Sequence, residues 1–280
     1  MTSRAMGRPA MRILPGFTLT MGLTITWLSL IVLIPLSAVV IRSFGQGFDH
    51  FISVAFSERA LASYRVTFGA AAIAALVNAL FGLLIAWVLV RYRFPGRQVL
   101  SAVIDLPFAL PTAVAGIALT AIYADTGWLG KPLADLGIAV AYKPQGIVVA
   151  MAFIGLPFVV RTVEPVLADL GRDIEEAALT LGAHRMQIFA RVVLPEIMPA
   201  LVTGTALAFA RGVGEYGSVI FIAGNMPMIS EIAPLLIITQ LEQYDYEGAA
   251  AIAVVMLLIS FAMLLIINRI QEYRRRRAGL

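Results

Sequence analysis

Six apolar runs decide what this chain can fold into: residues 17–41, 67–90, 100–123, 145–160, 197–223 and 249–267. Most match the roughly 20 residues an α-helix needs to cross a hydrocarbon layer. In lipid each backbone N–H and C=O needs an internal partner, and a helix supplies one for nearly all of them. The expected fold is an all-α membrane protein with six transmembrane helices. Composition agrees, since 60% hydrophobic and 14% charged residues, with a mean hydropathy of +0.89, are too apolar for a soluble domain of this size. With no cysteine, disulfides and thiolate metal sites are excluded. His50 and His184 are far apart in sequence and read as surface residues. No metal or cofactor is expected.

In chain order, the first run is too long for a signal-peptide core, and residues 36–40, Leu-Ser-Ala-Val-Val, offer no small-residue cleavage site. It is expected to stay as an uncleaved first helix. Residues 42–65 read as an external loop with a short helix near 58–64. Residues 91–97 form a tight basic turn around Pro95-Gly96. The third run contains Asp105, Pro107, Pro111 and Gly116, so its early part cannot be a plain helix. The fourth is short, interrupted by Gly155 and Pro157, and leads into an amphipathic turn with Val163, Val166, Leu167 and Leu170. The fifth carries Arg211 and Glu215. Beyond it, residues 224–247 hold four acids and no Lys or Arg, and 229–238 are apolar enough to lie against the membrane or the bundle.

Basic residues fix an orientation. With the N-terminus inside, the cytoplasmic side receives Arg4, Arg8, Arg12, Arg91, Arg93, Arg97, Arg161, Arg172, Arg185, Arg191, Arg269 and Arg274 to Arg277. The outside receives only Arg42, Arg59, Arg65, Lys131 and Lys143. The three-to-one excess places both termini in the cytoplasm. The same distribution accounts for the pI near 9.6 without a nucleic-acid partner.

One polar stretch interrupts the apolar pattern: residues 173–195, DIEEAALTLGAHRMQIFARVVLP. Ile174, Ala177, Ala178 and Leu181 recur at helical spacing behind Asp173, Glu175 and Glu176, acids suited to a helix N-terminus. Gly182 fits the stop. A second short helix with Met186, Phe189 and Val193 on one side is expected to close at Leu194-Pro195. Two short helices meeting at a glycine make a compact knob. An amphipathic helix lying on the membrane surface is the alternative, but such helices are usually rich in Lys and Arg.

The chain carries no recognisable chemistry of its own. Gly127-Trp128-Leu129-Gly130-Lys131-Pro132 lacks the spacing and the hydroxyl residue of a P-loop, and neither H-E-x-x-H nor G-x-S-x-G occurs. An intramembrane aspartyl protease needs two membrane aspartates, and only Asp105 lies within a span. The chain is expected to be a non-catalytic path moved by something else.

Glu176-Ala177-Ala178, Gly182, Val192 and Leu194-Pro195 resemble the EAA signature of ABC importer permeases, with Val192 where the pattern has Ile. That resemblance implies a type I, MetI-like permease fold in which the first helix of the knob is a coupling helix docked on a separate ATPase. Three further stretches, Gly82 to Trp87 with Arg91 to Gly96, Asp105 to Gly116, and Phe209 to Gly217, resemble the T-type permease family of sulfate/thiosulfate importers. This implies a bacterial inner-membrane, multi-pass subunit working with two cytoplasmic ATP-binding subunits, a W-type permease and an extracytoplasmic sulfate/thiosulfate-binding protein, all in membrane lipid. The expected layout is a tail at 1–16, a permease domain at 17–267 with a coupling loop at 161–196, and a basic tail at 268–280. A permease for another oxyanion such as molybdate remains open; a secondary transporter would usually show an internal repeat, and a structural subunit would not require the knob. Arg211 and Glu215, four residues apart, read either as part of the translocation path or as a structural ion pair. Asp105 and Asn78 read as structural.

Overall fold

The computed structural model describes residues 17–277; the tail 1–16, with Arg4, Arg8 and Arg12, and residues 278–280 lie outside them. The described residues form helices α1 (Phe17–Ser43), α2 (Phe48–Ala55), α3 (Glu58–Arg91), α4 (Arg97–Ala109), α5 (Thr112–Tyr123) and α6 (Gly130–Asp135). They continue with α7 (Pro144–Asp169), α8 (Arg172–Thr180), α9 (Arg185–Val213), α10 (Val219–Ile222), α11 (Ala233–Glu242) and α12 (Tyr246–Arg277). Five of these are single apolar helices long enough to cross a membrane: α1, α3, α7, α9 and α12. The sixth crossing is the pair α4 and α5, bent by 116° at Leu110-Pro111. Its two halves reach opposite ends of α7, with Asp105 on Arg161 at one end and Leu119 and Tyr123 against the cluster around Ile147 and Ile222 at the other. The early part of this run is nevertheless a regular helix through Pro107, and the break falls at Pro111.

At the centre α3, α7 and α9 pack tightly. Lipid tails are as apolar as leucine, so helices in a bilayer associate by close van der Waals contact and favour small residues where they cross. Val159, fully buried on α7, sits between Gly82 of α3 and Gly204 of α9. A Cβ on Gly82 would come within 2.8 Å of the Val159 Cβ, and one on Gly204 within 2.9 Å of its Cα. Ala71, Ala74 and Ala75 of α3, Ala150 and Met151 of α7, and Phe209 and Val213 of α9 continue this core toward the other end. A third cluster joins Phe51, Tyr64, Leu236 and Ile252, holding α2 and α11 to α12. Helix α1 leans on α12 through its second half, and none of Phe17–Leu33 is buried.

Several expected boundaries move, and proline explains most of them. Residues 58–64 are not a separate short helix but the first turns of α3, capped by Ser57, whose side chain accepts from the Ala60 N–H; the short helix of that loop is α2. Gly155 and Pro157 do not interrupt α7, which absorbs the turn at 161–170 and runs to Asp169. The segment after Gly182 does not close at Leu194-Pro195 but continues as α9 to Val213. Proline lacks an N–H and crowds the carbonyl four residues back. Here that carbonyl, of Arg191, lies in a π turn, Phe189–Val193, in which the Leu194 N–H bonds Phe189. The same device stands before Pro35, where Ser29–Leu33 is a π turn and the Ile34 N–H bonds Ser29. A π turn re-spaces the carbonyls so that the helix passes the proline unbroken. The fifth run also ends early as a helix, at Val213, with a turn and α10 completing it. His50 is not a free surface residue, because its Nε2 lies 3.8 Å from Asp245.

Candidate functional site

The polar stretch builds α8 and its two joints. Gly171 precedes the helix, and Asp173 and Glu175 stand in its first turn, where carboxylates favour the unpaired N–H groups. At the other end the Ala183 N–H bonds the Ala178 carbonyl at 3.1 Å and the Gly182 N–H bonds Leu179 at 2.9 Å, with Gly182 at φ +81°. This is a Schellman closure, and it needs a left-handed residue at that position. His184 then caps α9 reciprocally with Gln187: its Nδ1 accepts from the Gln187 N–H, and Gln187 Oε1 accepts from its own N–H. Gly182 is thus the stop that spacing predicts, and the knob is one short helix set against the start of a long one.

Much of the apolar surface of α8 is left uncovered. Ala178 meets the core, but Ile174, Leu179 and Leu181 are exposed, Leu181 by 88%, and Met186 at the base of α9 is exposed beside them. Glu176 and Ala177 are exposed as well. Leu194 is half-buried against the core and Pro195 is exposed. Glu175, which sequence reasoning placed only as an acid suited to the helix N-terminus, is the acid that faces inward: its Oε1 lies 2.7 Å from Arg91 at the end of α3.

Arg211 and Glu215 meet at 2.6 Å. Only Arg211 is on α9, since the helix ends at Val213 and Glu215 stands in the following turn. The Glu215 carboxylate is buried and also accepts from the N–H and Oγ of Ser218 at 2.9 and 3.0 Å, so it organises the turn that connects α9 to α10. The Arg211 side chain is one-third exposed, at 34%.

Other charge pairs escaped the sequence reading. Arg161 on α7 holds Asp105 of α4 with Nε at 2.8 Å from Oδ1, and it also bonds Ser101 Oγ and Glu164. Asp105 is accordingly a structural anchor for the broken third span. Arg59 grips buried Glu231 with two bonds, at 2.7 and 2.6 Å. The partners are 56 and 172 residues apart, and only a known topology brings them together. Asn78 is buried against Gly155, and its Nδ2 has no hydrogen-bond partner. Among the described residues no cluster of His, Asp and Glu could hold a metal ion.

The family described as "Binding-protein-dependent transport system inner membrane component" matches residues 78–279. The chain is 50% identical over 266 residues to "Sulfate transport system permease protein CysT" of Salmonella typhimurium, covering 95% of this chain and 96% of that one. It is 51% identical over 258 residues to "Probable sulfate transport system permease protein cysT" of Nephroselmis olivacea, covering 92% and 91%. Among solved structures, a bacterial ABC transporter involved in import of the acidic polysaccharide alginate superposes with a TM-score of 0.76 at 17% identity, covering 92% of this chain and 96% of that one. The MetNI methionine ABC transporter superposes with a TM-score of 0.56 at 19% identity, covering 76% and 95%. These two likenesses establish the type I permease fold. With its six-crossing bundle and its exposed helix between α7 and α9, the chain belongs to the inner-membrane components of binding-protein-dependent transport systems, the non-catalytic permease subunits of ABC importers.

Proposed function

We propose that the chain is the T-type permease subunit of an ATP-driven importer of sulfate and thiosulfate in a bacterial inner membrane. The observation that carries this reading is the 50% identity maintained across almost the whole length of both chains. The excess of arginine at the end that bears α8 supports cytoplasmic termini and a cytoplasmic α8. In this reading α8 is the coupling helix: Glu176, Ala177, Ala178 and Gly182 dock on one of two ATPase subunits, and Leu194 and Pro195 seat the base of α9. A W-type permease completes the path, and an extracytoplasmic binding protein delivers the dianion. ATP binding draws the coupling helices together and opens the path outward; hydrolysis resets it inward.

Radiolabelled sulfate uptake in cells lacking the chain tests the proposal. Uptake is expected to vanish, to return with the chain, and to persist under excess molybdate. Unchanged uptake without the chain, or its abolition by molybdate, overturns the sulfate assignment.

The docking geometry makes a separate prediction for Gly182. A Cβ there meets nothing within 4 Å in this chain, so Gly182→Leu costs only the left-handed backbone, about 1–2 kcal/mol. It is expected to lower transport and binding-protein-stimulated ATP hydrolysis together. Gly182→Asn, which tolerates this conformation, should stay near wild type. Equal activity in both variants rules out the backbone role.

A further inference from the structure

Arg91 ends α3 at the point where that span meets α8, and its bonds differ from those of the basic residues around it. Arg93 and Arg97 in the same turn are exposed, whereas the Arg91 side chain is only 9% exposed. Its Nη2 donates to the Leu170 carbonyl at 3.0 Å and lies 2.7 Å from Glu175 Oε1. Its guanidinium sits 5.7 Å from the centre of the Trp87 ring. In return Arg172 Nη2 donates to the Arg91 carbonyl at 2.7 Å, one of the carbonyls a helix end leaves without an internal partner. One residue of α3 is therefore tied to Leu170 at the end of α7, to the first residue of α8 and to its first turn.

Little else joins these two helices. A cavity of about 430 Å³ lies between them, with Trp87 of α3 and Tyr92 just past its end, Glu176 and Leu179 of α8, and Phe189 of α9 among its lining. Packed side chains transmit a displacement because interiors are dense and poorly compressible; an open cavity does not. The covalent joints of α8 are glycines, Gly171 at its start and Gly182 just past its end, so α8 can pivot against α7 and α9.

We infer that Arg91 is the positioning residue that carries the movement of α8 into the second span, α3. This rests on the reading of α8 as the coupling helix. When the ATPase pair closes, the Arg91 side chain makes α3 travel with α8. Without it, α8 turns on its glycines and α3 stays behind.

The test uses the assembled importer in lipid nanodiscs and proteoliposomes. Arg91→Ala is expected to keep hydrolysing ATP while sulfate moved per ATP falls at least tenfold. Arg91→Lys should be intermediate, because an ammonium keeps the charge for Glu175 but lacks the planar guanidinium that sits over Trp87. The chain has no cysteine, so Val88→Cys with Thr180→Cys gives two labelling sites, one on α3 and one on α8. Their separation through the ATP cycle reports the clasp whatever the cargo: constant with Arg91 present, changing on ATP binding with Arg91→Ala. A coupling ratio and a label separation both unaffected by Arg91→Ala overturn the inference. If wild type hydrolyses ATP but moves no sulfate, the sulfate assignment fails and the labels still decide the clasp. If Arg91→Ala does not assemble, Arg91→Cys with Glu175→Cys decides. Bridging the two thiols with a flexible bifunctional thiosulfonate should restore coupling; a bridged, assembled and uncoupled importer overturns the proposal.

Discussion

Glu176→Lys is expected to cut sulfate uptake at least a hundredfold while the amount of chain in the membrane stays at the wild-type level. Glu176 is exposed and takes part in no ion pair among the described residues, so reversing its charge breaks no ion pair inside the permease. The cost falls on whatever meets the open face of α8. For an interfacial carboxylate facing a basic partner, losing the pair costs about 2–5 kcal/mol, and a like charge in its place adds repulsion. At 1.4 kcal/mol per factor of ten, about 3 kcal/mol already supplies the hundredfold. Glu175→Lys is the informative contrast, because it puts a second cation against Arg91 and should lower the amount of folded chain as well. Uptake and co-purification of the ATPase subunit, measured for both variants, separate the two acids. Normal uptake with normal co-purification in Glu176→Lys excludes the docking role.

The contrast between neighbouring glutamates shows where sequence reasoning stops. Its periodicity finds α8, and left-handed geometry at Gly182 is legible because few residues other than glycine end a helix that way. Which acid points inward is not legible. Glu175 and Glu176 differ by one helical step, and the choice is made by Arg91, 84 residues earlier in the chain. Helix boundaries fail for a different reason. Pro157 and Pro195 read as breaks under the rules of soluble helices, but in a bilayer an unbroken helix is the cheapest way to satisfy the backbone. Neighbouring helices and π turns absorb the lost bonds. Pro111 does break its helix, and nothing local in the sequence distinguishes it from Pro157. Burial does: Pro157 lies within the packed face of α7, whereas α4 and α5 carry few buried residues to hold them in line.

Arg211 is the residue on which the structural and translocation readings diverge most, and Ser218 changes how they must be separated. Removing Arg211 alone strands a buried carboxylate, and breaking a buried pair costs about 3–5 kcal/mol. The loss here should fall at the lower end, because Arg211 is one-third exposed and Ser218 keeps two bonds on Glu215. Glu215→Ala should be worse for assembly than Arg211→Ala, since it also strips the Ser218 N–H of its acceptor in a turn away from water. A double alanine variant would therefore fail to rescue for reasons unrelated to Arg211. Arg211→Ala with Glu215→Gln is the clean test: the glutamine Oε1 still accepts from Ser218, and no charge is left unpaired. If the pair is structural, this double variant should assemble at close to the wild-type level and transport sulfate at the wild-type rate per assembled complex. If Arg211 attracts the dianion, the double variant should assemble equally well yet show at least tenfold weaker uptake, since a single charge-assisted contact is worth about 1.5–3 kcal/mol. The measurements are assembled complex per membrane and uptake per assembled complex. Full uptake in the double variant removes Arg211 from the path, and normal assembly of Arg211→Ala alone removes its structural role.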